Sequence, residues 1–388
     1  MALPITYSLA SLSVRWKSTL FAVVGIALVV AVFVALLSMA SGFRLALSAS
    51  GSAGNAIVLQ KGALSELGSS FSEAAGDWVA DDPRVEHGSD GKLLVSPELV
   101  LVVALPRRSD RQLTNLGVRG VTPAAFTLRR GVTLLEGRRP RAGLSEIIAG
   151  RRAQRLIEGL EVGSRISLLR HPFEVVGVFS DEGSSFESEL WGDFAAMTSA
   201  FNRAGTESSL TVRLRNPQLL PALDRDLRAS VQYPLTMTGE RQYYEGQAGR
   251  LVSFLRSLAV FVGVVTGIGA AFAAMNTMYA IVASRTREIG TLRALGFSRI
   301  SILTAFVVES TFLAIVGGAL GCLIALPANG MTSAVMGSNF SEIGFAFRIS
   351  GTSLVAGMVL AALMGVAGGV LPAFRAARMP ITSALRDA

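Results

Sequence analysis

The stretch that decides the architecture is SLAVFVGVVTGIGAAFAAMNTMYAIVA, residues 257–283, which runs directly into SRTREIGTLRALGFSRI, residues 284–300. The first part carries no charge. At about 1.5 Å per helical residue it is long enough to cross a hydrocarbon layer about 30 Å thick. The second part is dense in arginine, with Arg285, Arg287, Arg293 and Arg299. An apolar run ending on a basic cluster is the pattern of a transmembrane helix whose charged end stays in the cytoplasm.

The same test, applied outward, finds residues 18–41 and 349–374 without charge and residues 301–328 with Glu309 alone. Four spans are therefore expected. Residues 18–41 follow Arg15 and Lys17 and end near Ser38-Met39-Ala40, which resembles a signal-peptidase site. Their apolar core exceeds the roughly 7–15 residues of a signal peptide, which favours a retained helix. Lysine and arginine concentrate before the first span, in the 284–300 loop, and after the fourth span at Arg375, Arg378 and Arg386, whereas the 329–348 loop holds only Arg348. The bias places both termini and the 284–300 loop in the cytoplasm, and residues from about 42 to 256 outside. The expected fold class is a membrane α-helical protein of four transmembrane helices with an inserted α+β extracytoplasmic domain. Its divisions are residues 1–41, 42–250 and 251–388.

Composition agrees with membrane insertion: of 388 residues, 51% are apolar and 16% charged, with a mean hydropathy of +0.49. A net charge of +8 suits anionic lipid head groups as well as nucleic acid, and the placement of the arginines beside the spans favours lipid. Cys322 is the one cysteine and sits in an apolar run, so no intrachain disulfide or cysteine-based metal cluster can form. His87 and His171 stand far apart in sequence and give little basis for a zinc site or a catalytic triad.

Between the first two spans, short β-like runs at residues 56–60, 99–105, 117–121, 165–169, 173–179 and 209–214 alternate with helical patterns at 149–160 and 217–230. Two lobes are expected, the second becoming more helical from about Glu187. Asp181, Glu182, Glu187 and Glu189 cluster around Phe186 and read as a solvated turn rather than a catalytic carboxylate pair. The three lysines, Lys17, Lys61 and Lys92, all lack the glycine-rich context of a phosphate-binding loop. ATP, if used, is expected to be bound with magnesium by another subunit, which leaves this chain without cofactor, metal or catalytic residues of its own.

Within 284–300, helical spacing puts Ile289, Leu292 and Gly296 on one face with Leu295 at its edge. Physical reasoning alone leaves two uses open, lipid contact or docking on a partner. The decamer from Arg287 to Gly296, with Arg287, Glu288, Ile289, Gly290, Leu292, Arg293, Leu295 and Gly296 as its distinctive positions, resembles the signature of the FtsX/MacB-type permeases of ABC transporters. In that family the segment is the coupling helix on the ATPase subunit. Residues 8–15, which resemble the family's amphipathic N-terminal helix, Glu309 early in the third span, and Leu371 to Ile381 followed by Ala384, Leu385 and Arg386, which resemble its closing motif, extend the likeness. Within the outer domain, residues 118–121, 136–138, 146–150, 162–163 and 173–178 resemble a MacB-like periplasmic core in the same order.

The resemblance implies a bacterial inner-membrane protein working with an ABC ATPase and a second permease copy or paralogue. Some relatives add a periplasmic adaptor and an outer-membrane channel. Its implied role is mechanotransmission, in which ATP-driven movement of the ATPase is passed to the outer domain to export or extract a substrate. An alternative is an FtsX-like regulator of a cell-wall hydrolase, and four spans without an inverted repeat disfavour an ion-driven transporter. Glu309 is expected to pair with a nearby arginine such as Arg299 or to make a buried hydrogen bond. Gly317, Gly318, Gly321, Gly365, Gly368 and Gly369 suggest close helix packing, in particular at a permease dimer interface.

Overall fold

The computed structural model describes residues 16–89, 91–336 and 341–378. The amphipathic helix expected over residues 8–15 and the part of the closing motif beyond Arg378 lie outside the described residues. In chain order, α1 (Trp16–Ala49) is followed by β1 (Asn55–Gln60), β2 (Phe71–Ser72), α2 (Glu73–Ala80), β3 (Val95–Pro106), β4 (Leu113–Val121), α3 (Ala125–Leu128), β5 (Thr133–Gly137), β6 (Glu146–Gly150) and α4 (Arg151–Leu156). Then come β7 (Arg165–Leu168), β8 (His171–Ser180), β9 (Glu189–Asp193), α5 (Phe194–Ala200), β10 (Thr206–Glu207), β11 (Ser209–Arg213), α6 (Leu220–Ala229) and β12 (Leu235–Gly239). The chain closes with α7 (Glu240–Ser284), α8 (Thr286–Ala294), α9 (Arg299–Ala325), β13 (Thr332–Met336), β14 (Glu342–Ala346) and α10 (Gly351–Arg378).

Two compact units result. One comprises Met1–Ser41, Ser253–Met331 and Phe347–Ala388, the other Gly42–Val252 and Thr332–Ala346. The first contains the four expected spans, since α1, α7, α9 and α10 are all long and apolar enough to cross a membrane. Its core gathers Ile26, Val30 and Val34 of α1, Ala314 and Ala325 of α9, and Ala361 and Met364 of α10. Hydrocarbon solvent supplies no hydrophobic drive between helices, so contact depends on close backbone approach through small residues. The six glycines provide it within one chain. Gly317 and Gly321 face α1, where a methyl group at Gly321 would stand 2.5 Å from the Ala27 carbonyl oxygen. Gly318 faces Ala361 of α10, Gly365 and Gly369 face Ala314 and Ser310 of α9, and Gly368 faces Ala274 of α7. Their Cβ directions point at the chain's own helices, so at these positions the expected dimer interface gives way to intrachain packing.

The second unit is built on a ten-stranded sheet ordered β12-β1-β11-β3-β4-β9-β6-β8-β5, with β7 paired to β8. Pairings are antiparallel except β4 with β9 and β6 with β8. The interior strand β6, EIIAG, lies between β9 and β8 and is buried along its length, with Ile147, Ile148 and Ala149 as its apolar centre. Two hydrophobic cores form, one around Leu116, Ile147, Phe173, Leu190 and Met197, the other around Val58, Val79, Val212, Leu227 and Met237. Both cores lie along the one sheet, and the chain does not become more helical from about Glu187 as expected. Residues beyond it supply β9, β11 and β12 as well as helices, and β3 runs through both. Residues 149–160, expected as one helix, divide into the end of β6, the short α4 and a turn.

The 329–348 connection is more than a loop. Its hairpin β13–β14 belongs to the outer unit, with Phe345 edge-on to Phe43 at 5.7 Å and both rings buried. The Ser188 hydroxyl accepts from the Gly344 amide at 2.9 Å, and Arg152 donates to the Gly344 carbonyl at 2.8 Å. Glu342 takes a charge-assisted bond from Arg107 at 3.2 Å and another from the Thr114 hydroxyl.

Candidate coupling segment and the charge cluster of the outer domain

The 284–300 segment folds as the helix α8 between two spans, and the reasons are local. Gly296 adopts a φ of +91°, where a side chain would be strained, and ends the helix with the Gly296 amide donating to the Arg293 carbonyl and the Phe297 amide to the Leu292 carbonyl. Ser298 then caps α9 by accepting from the Ser301 amide at 3.1 Å. Ile289, 2% exposed, is turned inward against Met278, Val282, Ile302 and Phe306, and Gly290 is buried beside it. Leu292 and Arg293 are half-buried, whereas Arg287, Glu288 and Gly296 are exposed. Leu295, at the end of the helix, is left outside and is 73% exposed, as is Ile300 at the start of α9. The face grouping Ile289 with Leu292 and Gly296 is thus split between anchoring and display.

A second anchor is Glu309. It is buried, and its carboxylate meets Arg285 at 3.4 Å, while the same guanidinium reaches Glu288 at 3.6 Å. Arg285 therefore stands where Arg299 was expected. It ties the start of α8 to the third span, so that the segment is held at both its ion pair and Ile289.

The outer unit contains a feature no motif announced. Arg119 of β4, 1% exposed, donates to Glu66 at 2.7 Å, to Glu98 of β3 at 2.7 Å and to Glu189 of β9 at 2.8 Å. Arg129 donates to Glu98 and, at 3.0 Å, to Glu240, the first residue of α7. Glu240 also accepts from the Asn55 side chain and from the Ser52 amide just past α1. Four carboxylates thus surround two guanidiniums. Neutral donors make up the difference: Ser209 and Tyr244 on Glu66, Trp191 on Glu189. Burial opposes ionisation of Glu66, but the charge and bonds of Arg119 outweigh it and hold the carboxyl below its ordinary range. Both guanidiniums lie over the Phe186 ring, at 5.1 and 4.7 Å.

This corrects the solvated-turn expectation around Phe186. Phe186, Asp181 and Glu187 are buried. Glu187 accepts from Ser180, Asp181 and Gly183, closing the turn on itself, and meets Arg152 at 3.6 Å. Burial pushes Asp181 up to about 6 despite its bond from Ser184. Among the described residues no group of histidine, cysteine or carboxylate side chains is arranged to hold a metal.

Glu207 is the buried carboxyl without compensation. It is 4% exposed, one of its oxygens has no hydrogen-bond partner, and burial followed by the charges of Asp77 and Glu73 pushes it up to about 8. A raised carboxyl means that the folded state holds the proton longer than the unfolded one. Stability is undiminished below the ordinary value of 4.5 and falls as pH rises toward 8. Glu207→Gln should therefore raise the melting temperature of the outer domain at pH 9, by the equivalent of about 2–4 kcal/mol, and change it little at pH 4.5. Parallel melts of variant and parent across that range check it. Equal gains at both ends would mean that shape, not charge, separates them.

Residues 19–230 match the family described as MacB-like periplasmic core domain, and residues 260–381 the FtsX-like permease C-terminal family. Among curated proteins, the macrolide export ATP-binding/permease protein MacB of Mannheimia succiniciproducens is 24% identical over 72% of this chain and 44% of its own length. The MacB protein of Shewanella oneidensis is 30% identical over 58% of this chain and 35% of its own length. The chain thus spans less than half the length of these relatives. Among solved structures, the periplasmic region of MacB from Actinobacillus actinomycetemcomitans aligns over 50% of this chain and 92% of its own, at 14% identity and a TM-score of 0.39.

Proposed function

Because the chain belongs to the FtsX-like permease family that carries a MacB-like periplasmic core domain, we propose that it converts ATP-driven movement of a partner ATPase into movement of its outer domain. The observation that supports this best is α8, a short helix between two spans, fixed by Ile289 and Arg285 and offering Leu295 outward. A segment held firmly on one side and presenting an apolar residue on the other can pass a push without absorbing it. ATP and magnesium belong to the ATPase in this reading, and the substrate is moved by the outer domain. The apolar runs 18–41, 257–283, 301–328 and 349–374 support such an indirect route, since Glu309 is the one charged residue in them and meets Arg285. Orientation follows the arginine bias, with the termini and α8 cytoplasmic.

In a Cys322→Ala background, an impermeant thiol reagent on spheroplasts should label Val231→Cys, where the parent side chain is 97% exposed in the outer unit, and spare Ser298→Cys. Spin labels at position 231, in nanodiscs with the ATPase bound, should change their distance distribution when a non-hydrolysable ATP analogue replaces ADP. An unchanged distribution with nucleotide demonstrably bound would remove mechanotransmission from the reading.

A further inference from the structure

Beside the charge cluster, the outer unit contains a cleft of about 400 Å³. Its walls are the turn after α1 at residues 49–52, Arg129, Arg130 and Gly131 after α3, Asp181 and Glu182 after β8, and Arg213 at the end of β11. That volume lies within the range of small-molecule sites, and four segments distant in sequence converge on it. The charges of the walls balance. Arg129 is taken up by Glu98 and Glu240, which leaves the guanidiniums of Arg130 and Arg213 against the carboxyls of Asp181 and Glu182.

The polar groups facing the cleft are only partly used by the chain. Asp181 is 6% exposed, and its Oδ2 accepts from the Ser184 hydroxyl. Its Oδ1 has no bond among the described residues, yet it is not sealed in the interior. A Cβ at Gly131 would collide with that oxygen, so the missing side chain of Gly131 is what keeps it uncovered. Arg213 spends Nε on the Asn55 side chain and Nη2 on the Leu128 carbonyl, which leaves Nη1. The exposed guanidinium of Arg130 has no hydrogen bond or ion pair among the described residues. A buried carboxylate oxygen without a donor is unfavourable, and an ammonium group supplies a charge-assisted one.

We propose that this cleft binds a small zwitterion, a free amino acid or a short peptide, with its ammonium on Asp181 Oδ1 and its carboxylate on Arg130 and Nη1 of Arg213. The balance of charge selects a ligand that is neutral overall. A simple cation would leave both guanidiniums unanswered, and a simple anion would meet Asp181 and Glu182. The outer domain then recognises a solute as well as moving, and this recognition needs no ATPase.

The test is calorimetric titration of the full chain in nanodiscs with L-alanine and with L-alanyl-L-alanine. N-acetylalanine and alanine methyl ester, each lacking one charge, are the controls. Saturable binding of at least one zwitterion is expected, and whichever binds more tightly identifies the source as amino acid or peptide. Each control should bind at least about tenfold more weakly than alanine, and Asp181→Asn or Arg130→Ala should cost about tenfold. Gly131→Ala should abolish binding by covering Oδ1. Arg130→Ala removes an exposed side chain, so its melting transition should match the parent's. Burial pushes Asp181 up to about 6, with Arg129, Glu182 and Glu187 around it and Arg130 and Arg213 also lining the cleft. It must be ionised to hold an ammonium, so alanine should bind about tenfold more weakly at pH 5 than at pH 7.5. No saturable heat from either zwitterion up to about 10 mM would overturn the site. So would binding that N-acetylation, Asp181→Asn and Gly131→Ala all leave unchanged. Neither failure touches the coupling role of α8.

Discussion

Arg119→Met is expected to destabilise the outer domain by about 3–5 kcal/mol, the scale seen when one partner of a buried ion pair is removed. Methionine keeps most of the volume over Phe186 but removes the cation that Glu66, Glu98 and Glu189 share. Three carboxylates would remain with Arg129 as the nearby guanidinium, and Arg129 contacts only Glu98 among those three. Either they take up protons or the domain opens to admit water. Since a domain's whole stability is about 5–15 kcal/mol, the loss should move the denaturation midpoint far outside experimental error. Emission from Trp191, buried between Phe179 and Phe186 and bonded to Glu189, reports the transition directly. Arg119→Lys should recover only part of the loss, because an ammonium cannot serve three carboxylates with a planar fork. A loss below about 1 kcal/mol, the range of solvated pairs, would show that water reaches the cluster.

Leu295→Asp is expected to reduce association with the ATPase more than tenfold and to lower coupled ATP turnover in proportion. The parent side chain lies in the open at the end of α8, just before Gly296, so the variant should fold normally. If Leu295 enters an apolar groove on the ATPase, a carboxylate there loses its water without gaining a partner, at a cost on the order of several kcal/mol. Each tenfold in affinity needs only about 1.4 kcal/mol. Ile289→Asp is a poorer probe, because Ile289 packs among the spans and its loss would damage the fold before the interface. Co-purification and turnover in nanodiscs measure the effect. Parental binding and turnover by a monodisperse Leu295→Asp chain would sink the docking assignment of α8.

The spans and the strand-rich outer domain were legible because each depends on a local property, unbroken apolar length in one case and β-branched runs between turn residues in the other. The hairpin β13–β14 was not, because its pairing with Phe43, Ser188 and Arg152 joins segments more than a hundred residues apart in sequence. The charge cluster was hidden for a related reason. Arg119 and Glu98 look like solvent-facing residues on amphipathic strands until neighbouring strands and Phe186 close over them. The turn after Asp181 misled in the same way, since acidic residues around one aromatic ring carry no mark of the arginines that bury them. The glycines were recognisable as packing residues, but a single chain's sequence does not say which helix they pack against.

The hairpin also sets a timetable for biosynthesis. A chain emerging from the ribosome at roughly 5–20 residues per second completes residues 42–252 about 4–16 s before residues 332–346 exist. During that interval Phe43 lacks the ring that packs against it, and the polar groups of Arg107, Thr114 and Ser188 lack their partners in the hairpin. The outer domain is therefore finished late, after the third span has been made and the chain between the third and fourth has reached the domain. Arrest of synthesis before residue 332 would leave an inserted but incomplete domain, with Phe43 accessible to chaperones and proteases outside the membrane.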